Sequence, residues 1–338
     1  MRVGLLIVVV GAVILALTGC VSPVAVAVPN PSIRVPAEWE THAATWMQWP
    51  GQWESALRPA FARIIEVIQN YEPLHLLVPS ASARTQAKQF LASSNVPDHN
   101  ITWHIVPTDN AWMRDNGPIY VNNGTATWIQ DWRFDAWGGN FGRGVDHSND
   151  DLVPIAVANY LGMTVEDHSE YILEKGNLEF NGAGTLVLNW DCQDDRNPGL
   201  TQVEHEATLK DAFNLSLIIW AYGHDPLDGT TGHIDGTARF VNVNTIVIRE
   251  SVWGQQIERG LVTACEAAGL EVIRYSGDPN WLVGNGFVLA AGEGGSQDAE
   301  WQSQLESLFP DRDVHLIDVA AITDSGGGIH CVTNDQPQ

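Results

Sequence analysis

Apolar residues at Leu57, Phe61, Ile64, Ile65 and Ile68 recur at three- and four-residue steps, so the interval 55–70 is predicted to be a helix with one buried face. The run Leu74-His75-Leu76-Leu77-Val78 is short, apolar and bounded by turn residues, which predicts a buried strand. The same reading continues along the chain. Helices are expected at 82–93, 151–161, 202–213, 252–268 and 298–309. Strands are expected at 101–106, 185–188, 217–221, 245–249, 271–275, 287–291 and 314–318. Alternation of strand and helix predicts the α/β class. A coarser rhythm overlies it. Polar turns flanked by glycine recur at Asp115, Asn177, His233, Asn280 and Cys331, spaced 47 to 62 residues apart. Such a period suggests structural repeats around an axis, each sending a turn inward.

Composition changes this picture only modestly. With 338 residues, 44% hydrophobic and 17% charged, the chain can fill a large core. The formal net charge of −24 repels phosphate backbones and argues against a nucleic-acid role, while a negative cleft would draw in a cation. The four cysteines, Cys20, Cys192, Cys265 and Cys331, are too few for a disulfide scaffold. A bridge between Cys192 and Cys265 is left open.

The N-terminus adds an address. Arg2 precedes an apolar run over 3–17, shorter than the roughly twenty residues a membrane span needs. Leu17-Thr18-Gly19-Cys20 resembles a bacterial lipobox. The expected organisation is a lipoprotein signal peptide over 1–19, a tether over 20–34 beginning with lipidated Cys20, and a single catalytic domain over 35–338. The protein is then exported and anchored to a bacterial membrane. An uncleaved anchor helix is the other reading, and it also puts the domain outside the cytoplasm.

Three runs carry chemistry: Trp112-Met113-Arg114-Asp115-Asn116-Gly117-Pro118, Thr231-Gly232-His233-Ile234-Asp235-Gly236 and Ser325-Gly326-Gly327-Gly328-Ile329-His330-Cys331. A guanidinium is a planar fork of donors, and carboxylates such as Asp115 and Asp235 can accept it from two sides. The amidine carbon is a poor electrophile, so a thiolate held close is needed, for which Cys331 is the candidate. His233 is the candidate proton carrier, set with Asp235 on one side of an extended segment. Trp112 can stack on the cation. His330 is expected to point away from the thiol. Each residue taken alone also has a structural reading: a turn carboxylate, a core indole, a buried cysteine. Metal-ligand spacing is absent from these histidines, as are a phosphate loop and Gly-x-Ser-x-Gly.

Together these runs resemble the agmatine deiminase and bacterial (Porphyromonas-type) peptidyl-arginine deiminase family of guanidino-group-modifying enzymes. The resemblance opens at Val35-Pro36-Ala37-Glu38-Trp39-Glu40-Thr41-His42-Ala43-Ala44-Thr45-Trp46-Met47. It passes through the Trp112 run, Phe134-Asp135-Ala136-Trp137-Gly138-Gly139 and Leu173-Glu174-Lys175-Gly176-Asn177-Leu178-Glu179. It ends with the His233 run, Asn280 and the Cys331 run, and so covers about 35–336. It implies a five-bladed α/β propeller with pseudo-fivefold symmetry. It also implies Cys331 as nucleophile, His233 as general acid/base, and Asp115 and Asp235 as guanidinium-binding carboxylates. Trp112, Asn280, Glu174 and Asn177 would contact substrate, and neither cofactor nor metal is implied. The implied partner is a small cationic guanidino compound: agmatine, arginine or an arginyl peptide. A ligand-capturing lipoprotein without catalysis is the reading from another class, and amidinotransfer is a further one. Lys175 and Thr231 depart from the family pattern, as do Asp135 and Gly328. Lys175 is expected near the mouth, where it would act on the substrate tail.

Overall fold

The computed structural model describes residues 33–141, 145–250 and 255–338, with only the backbone of 255–259. Cys20, the expected signal peptide and nearly all of the expected tether lie outside the described residues.

Sixteen strands form among the described residues: β1 (His42–Gln48), β2 (Leu74–Val78), β3 (Ile101–Ile105), β4 (Ile119–Asn122), β5 (Thr127–Arg133), β6 (Val165–Ile172), β7 (Glu179–Phe180), β8 (Thr185–Asn189), β9 (Leu217–Ala221), β10 (Ala238–Asn242), β11 (Thr245–Arg249), β12 (Glu271–Tyr275), β13 (Leu282–Gly284), β14 (Phe287–Ala291), β15 (Asp313–Ile317) and β16 (Asn334–Pro337). They make five small sheets, β4-β5-β6, β7-β8-β9, β10-β11-β12, β13-β14-β15 and β16-β1-β2-β3. One unit is repeated five times. A first strand pairs antiparallel with a second, and the second pairs parallel with a third. A parallel pair requires a crossover, and helices Val153–Leu161, Gln202–Phe213, Gln255–Ala267, Asp298–Leu308 and Arg58–Ile68 supply it. This mixed α/β architecture of five blades is the one the sequence predicted.

The fifth sheet joins the two ends of the described chain. β16 pairs with β1, His42 opposite Pro337 and Trp46 opposite Asn334, so the last residues complete a sheet begun near residue 42. This sheet alone carries an extra strand, β3, after helix Ala81–Ser93.

Local chemistry explains the helices. In Arg58–Ile68, Pro59 sits in the first turn, where its missing N–H costs nothing, and Phe61, Ile64, Ile65 and Ile68 are fully buried. Gln202–Phe213 opens on a capping box, Thr201 with Glu204, and closes on Asn214 in the left-handed conformation.

Buried ions tie blades together near the centre. Arg114 donates to Asp335 at 2.8 Å and to Glu38 at 3.2 Å, and Arg239 reaches Glu38 at 2.8 Å and Glu179 at 2.9 Å. Lys175 belongs to this network. Its Nζ donates to Asp335 at 2.7 Å and Asn334 at 2.9 Å, not to the mouth of the cleft as expected. A buried lysine needs a carboxylate more than it needs solvent, and Asp335 on β16 provides one. Cys192 and Cys265 are both free thiols, so the bridge left open by the sequence is not formed.

Candidate active site

Each blade's first strand is preceded by a turn, and those turns carry the candidate chemistry. Asp115 lies in the short helix Met113–Asn116 ahead of β4, and Glu174 just ahead of β7. His233 and Asp235 precede β10, Asn280 precedes β13, and Cys331 precedes β16. The repeat spacing read from the sequence is therefore the blade spacing, and side chains from the five turns meet.

Cys331 sits in the 3-10 turn His330–Val332 and is 8% exposed. The Asn280 amide donates to its Sγ at 3.2 Å, and the thiol lies 3.6 Å from Oδ2 of Asp235. Burial, then the negative charges of Asp235 and Asp115, hold this thiol well above its ordinary pKa. Without a cation in the cleft, Cys331 is protonated.

His233 has one committed nitrogen and one free. Nε2 lies 2.6 Å from Glu174, so it carries the proton of that hydrogen bond. Nδ1 has no hydrogen-bond partner and sits 3.5 Å from Oδ1 of Asp115. Burial works against a charge on the ring, but Asp115, Cys192 and Glu174 outweigh it and raise its pKa well above that of free histidine. Glu174 is itself gripped by Arg196, at 2.7 and 3.1 Å. Burial opposes its ionisation, yet Arg196 and His233 keep its pKa below the usual range.

Asp115 accepts from the Trp137 indole N–H at 2.9 Å and from the Gly176 backbone N–H at 3.1 Å. Burial raises its pKa to about 6, aided by repulsion from Glu174 and Asp235 and opposed by His233 and the Trp137 N–H. Gly176 is required here. A Cβ at this position would lie 2.5 Å from Oδ1 of Asp115 and 2.6 Å from Nδ1 of His233. Trp137 reaches Asp115 from a backbone with φ of 59°, and Ala136 beside it has φ of 57°. Left-handed backbone costs a side-chain-bearing residue about 1–2 kcal/mol, a strain that aims the indole at the carboxylate.

Asp235 accepts from Nδ1 of His330 at 2.8 Å, and the other nitrogen of His330 lies 2.6 Å from Glu38. Burial opposes the charge on Asp235, but the His330 hydrogen bond prevails and its pKa is lowered. His330 sits in a 3-10 turn, not the extended chain expected, and its Nδ1 shares Oδ2 of Asp235 with the Cys331 thiol. The segment Ile234–Gly236 is likewise a 3-10 turn, in place of the extended segment expected.

Cys331 lines two adjoining cavities. One, of about 260 Å³, is bounded by Asp115, Trp112, Trp137, Phe141 and Glu54. The other, of about 390 Å³, is bounded by His233, Asp235, Asn280, Asp278 and Arg249. Both share Phe141, Thr230 and Gly326 with the thiol. The Trp112 ring packs on Gly327, where a Cβ would collide with it. Cys331, His233, Asp115, Asp235, Trp112 and Asn280 are thus brought together around one cleft. Two of the expected contact residues stand behind it. Glu174 is covered by His233 and Arg196, and the Asn177 amide is spent on the backbone N–H and C=O of Asn189. Asn177 therefore holds two turns together in place of facing a ligand.

Glu174, Cys192 and His233 form the one grouping among the described residues with metal-ligand reach, their donor atoms within 4.8 Å of one another. Glu174 already carries the Arg196 guanidinium, so a metal ion there would meet a resident cation. Sequence reasoning gave no role to Trp137, Glu54, Arg196 or His330. Trp137 lay inside a quoted run and could have been singled out there. Glu54 had no signal beyond an acidic residue before a helix.

The arrangement can seat a planar cation between two carboxylates, beside a thiol and a histidine with a free nitrogen. Comparison with known proteins agrees with it. The family model for Porphyromonas-type peptidyl-arginine deiminase matches residues 34–266 and 276–337. An agmatine deiminase of Pseudomonas aeruginosa (strain UCBPP-PA14) is 28% identical over 360 aligned residues, covering 90% of this chain and 95% of the relative. One from Ectopseudomonas mendocina (strain ymp) is 29% identical over 357, with the same coverage. The solved agmatine deiminase of Enterococcus faecalis has the same fold, with a TM-score of 0.83 at 22% identity over 92% of this chain and 97% of that one. The protein is a member of the Porphyromonas-type peptidyl-arginine deiminase family.

Proposed function

We propose that this chain hydrolyses the C–N bond of a linear amidine, converting a guanidino group to a ureido group with release of ammonia, and that agmatine is the substrate. The observation that carries this reading is a buried thiol 3.6 Å from Asp235, sharing its cleft with Asp115 and with the unpartnered Nδ1 of His233. The agmatine deiminases among the relatives support the choice of substrate.

The steps follow from the charges. Asp115 and Asp235 accept the guanidinium N–H groups, each charge-assisted bond contributing about 1.5–3 kcal/mol. The incoming cation cancels the repulsion that now holds Cys331 protonated, and the thiol proton is released to solvent. Sulfur attacks the central carbon, forming the C–S bond. The bond from the resulting tetrahedral carbon to one NH₂ group breaks as Nδ1 of His233 gives that nitrogen a proton, and ammonia departs, leaving a thiouronium on sulfur. Nδ1 then takes a proton from water as its oxygen attacks the same carbon. The C–S bond breaks, its electron pair and the proton of the added hydroxyl pass to sulfur as the C=O bond forms, and the ureido product leaves. Asn280, donating to Sγ, orients the nucleophile.

Two tests apply here. Ammonia and ureido product are measured with agmatine, free arginine and a peptide ending in arginine. Agmatine is expected to be consumed fastest, and no release from any of the three would exclude the reading. The second test reads Asp115, which must be ionised to hold the cation. The Trp137 N–H favours that ionised form, so Trp137→Phe raises the Asp115 pKa above about 6. The acid limb of the kcat/KM profile is expected to move to higher pH, with activity lost at pH 6 and largely regained at pH 8. An unmoved limb would show that Asp115 does not set it.

A further inference from the structure

We propose that Glu54 is the distal anchor of the cleft: it receives a cationic group at the far end of a substrate whose guanidino group lies at Cys331, and so selects guanidinoalkylammonium compounds over guanidines with a neutral or anionic tail. This rests on the guanidino reading above and names the feature that would set its substrate class.

Glu54 is 5% exposed and lines the same cavity as Cys331 and Asp115. Its Oε1 accepts the Ala111 backbone N–H at 3.2 Å, while Oε2 is buried without any hydrogen-bond partner. A buried carboxylate oxygen left unpaired is destabilising, and a ligand that pairs it relieves that cost. No lysine or arginine among the described residues lines this cavity, so nothing described there competes for the carboxylate. Burial raises its pKa to about 7 and Asp150 adds repulsion, while the Ala111 and Gly51 backbone N–H groups and the Trp112 indole draw it down. A cation is what this environment lacks.

Trp112 links the two ends. One edge of its ring packs on Gly327, close to Cβ of Cys331, and its indole N–H acts on Glu54. The path between thiol and carboxylate therefore runs along an aromatic face, with Trp137, Phe141 and Leu57 on the same wall. Such a wall suits methylene groups, and its two ends suit two positive charges.

The experiment compares agmatine with pentylguanidine, in which a methyl group replaces the distal ammonium, on the full chain and on Glu54→Gln. Wild type is expected to favour agmatine on the order of 10- to 100-fold in kcat/KM, mostly through KM. Glu54→Gln is expected to bring the ratio of kcat/KM for agmatine over pentylguanidine close to one. The proposal is overturned if wild type handles both compounds equally, or if Glu54→Gln keeps the preference. Should the variant fail to fold, a wild-type ratio near one still overturns the proposal. Turnover of neither compound by wild type would overturn the guanidino reading itself, an outcome distinct from turnover of both without preference.

Discussion

Cys331→Ala is expected to lose turnover of agmatine by at least about 10³-fold while still binding it, a barrier increase of about 4 kcal/mol or more. The carboxylates that hold the cation, Asp115 and Asp235, are untouched by this change. Each keeps its own partners, Trp137 and Gly176 for Asp115 and His330 for Asp235. Removing the sulfur also removes a group whose ionisation they oppose, so the pocket remains preorganised for a cation. Affinity measured calorimetrically should stay within a fewfold of wild type, while ammonia release vanishes. Turnover that survives the substitution would mean that water attacks the guanidinium directly and that the thiol is incidental. Loss of binding together with turnover would instead make Cys331 a packing residue of the closing turn before β16.

His233→Gln is expected to lower kcat by about 10²–10⁴-fold with little change in KM. The glutamine amide can reach the position of Nε2 and still donate to Glu174, so the Glu174–Arg196 pair keeps its third partner. What is lost is the free nitrogen beside Asp115, which both releases ammonia and activates water in the proposed cycle. Stopped-flow release of ammonia and steady-state formation of the ureido product are the measurements. Equal slowing of both is expected if Nδ1 serves both halves of the reaction. A normal kcat would remove His233 from the proton path and leave its contact with Glu174 as its role.

Much of this site was legible in the sequence because its residues sit in turns. Asp115, His233, Asn280 and Cys331 are each polar side chains flanked by glycine, repeated at blade spacing, and such turns need no tertiary information to be noticed. The outer strands were legible for a similar reason. β8, β9, β11 and β14 are short apolar runs, largely buried on both faces, and their bounds came close, as did those of the part-buried β12. The first strand of each blade was not legible. β7 has two residues and β13 three, while β16 reads Asn334-Asp335-Gln336-Pro337, polar yet wholly buried. Those polar groups are satisfied by partners from other blades, such as Arg114 and Lys175 on Asp335. A hydrophobic pattern cannot register a strand that is buried through ion pairs.

The residues missed at the site share a different cause. Trp137 acts through a left-handed backbone that few tryptophans adopt, and Glu54 matters because the loop ahead of helix Arg58–Ile68 brings it beside Ala111. Lys175 was assigned to the mouth because it neighbours Glu174 in sequence, but the 3-10 turn Lys175–Asn177 sends the two side chains to different partners. Glu174 goes to His233 and Arg196, and Lys175 to Asp335.

Rapid acid quench of the enzyme during turnover of agmatine, followed by mass analysis of the peptide that carries residue 331, tests the central chemistry most directly. An adduct on Cys331 equal in mass to agmatine less ammonia is expected, more abundant in His233→Gln if the water step is the slower one. A peptide that remains unmodified in both proteins while ureido product accumulates would contradict it.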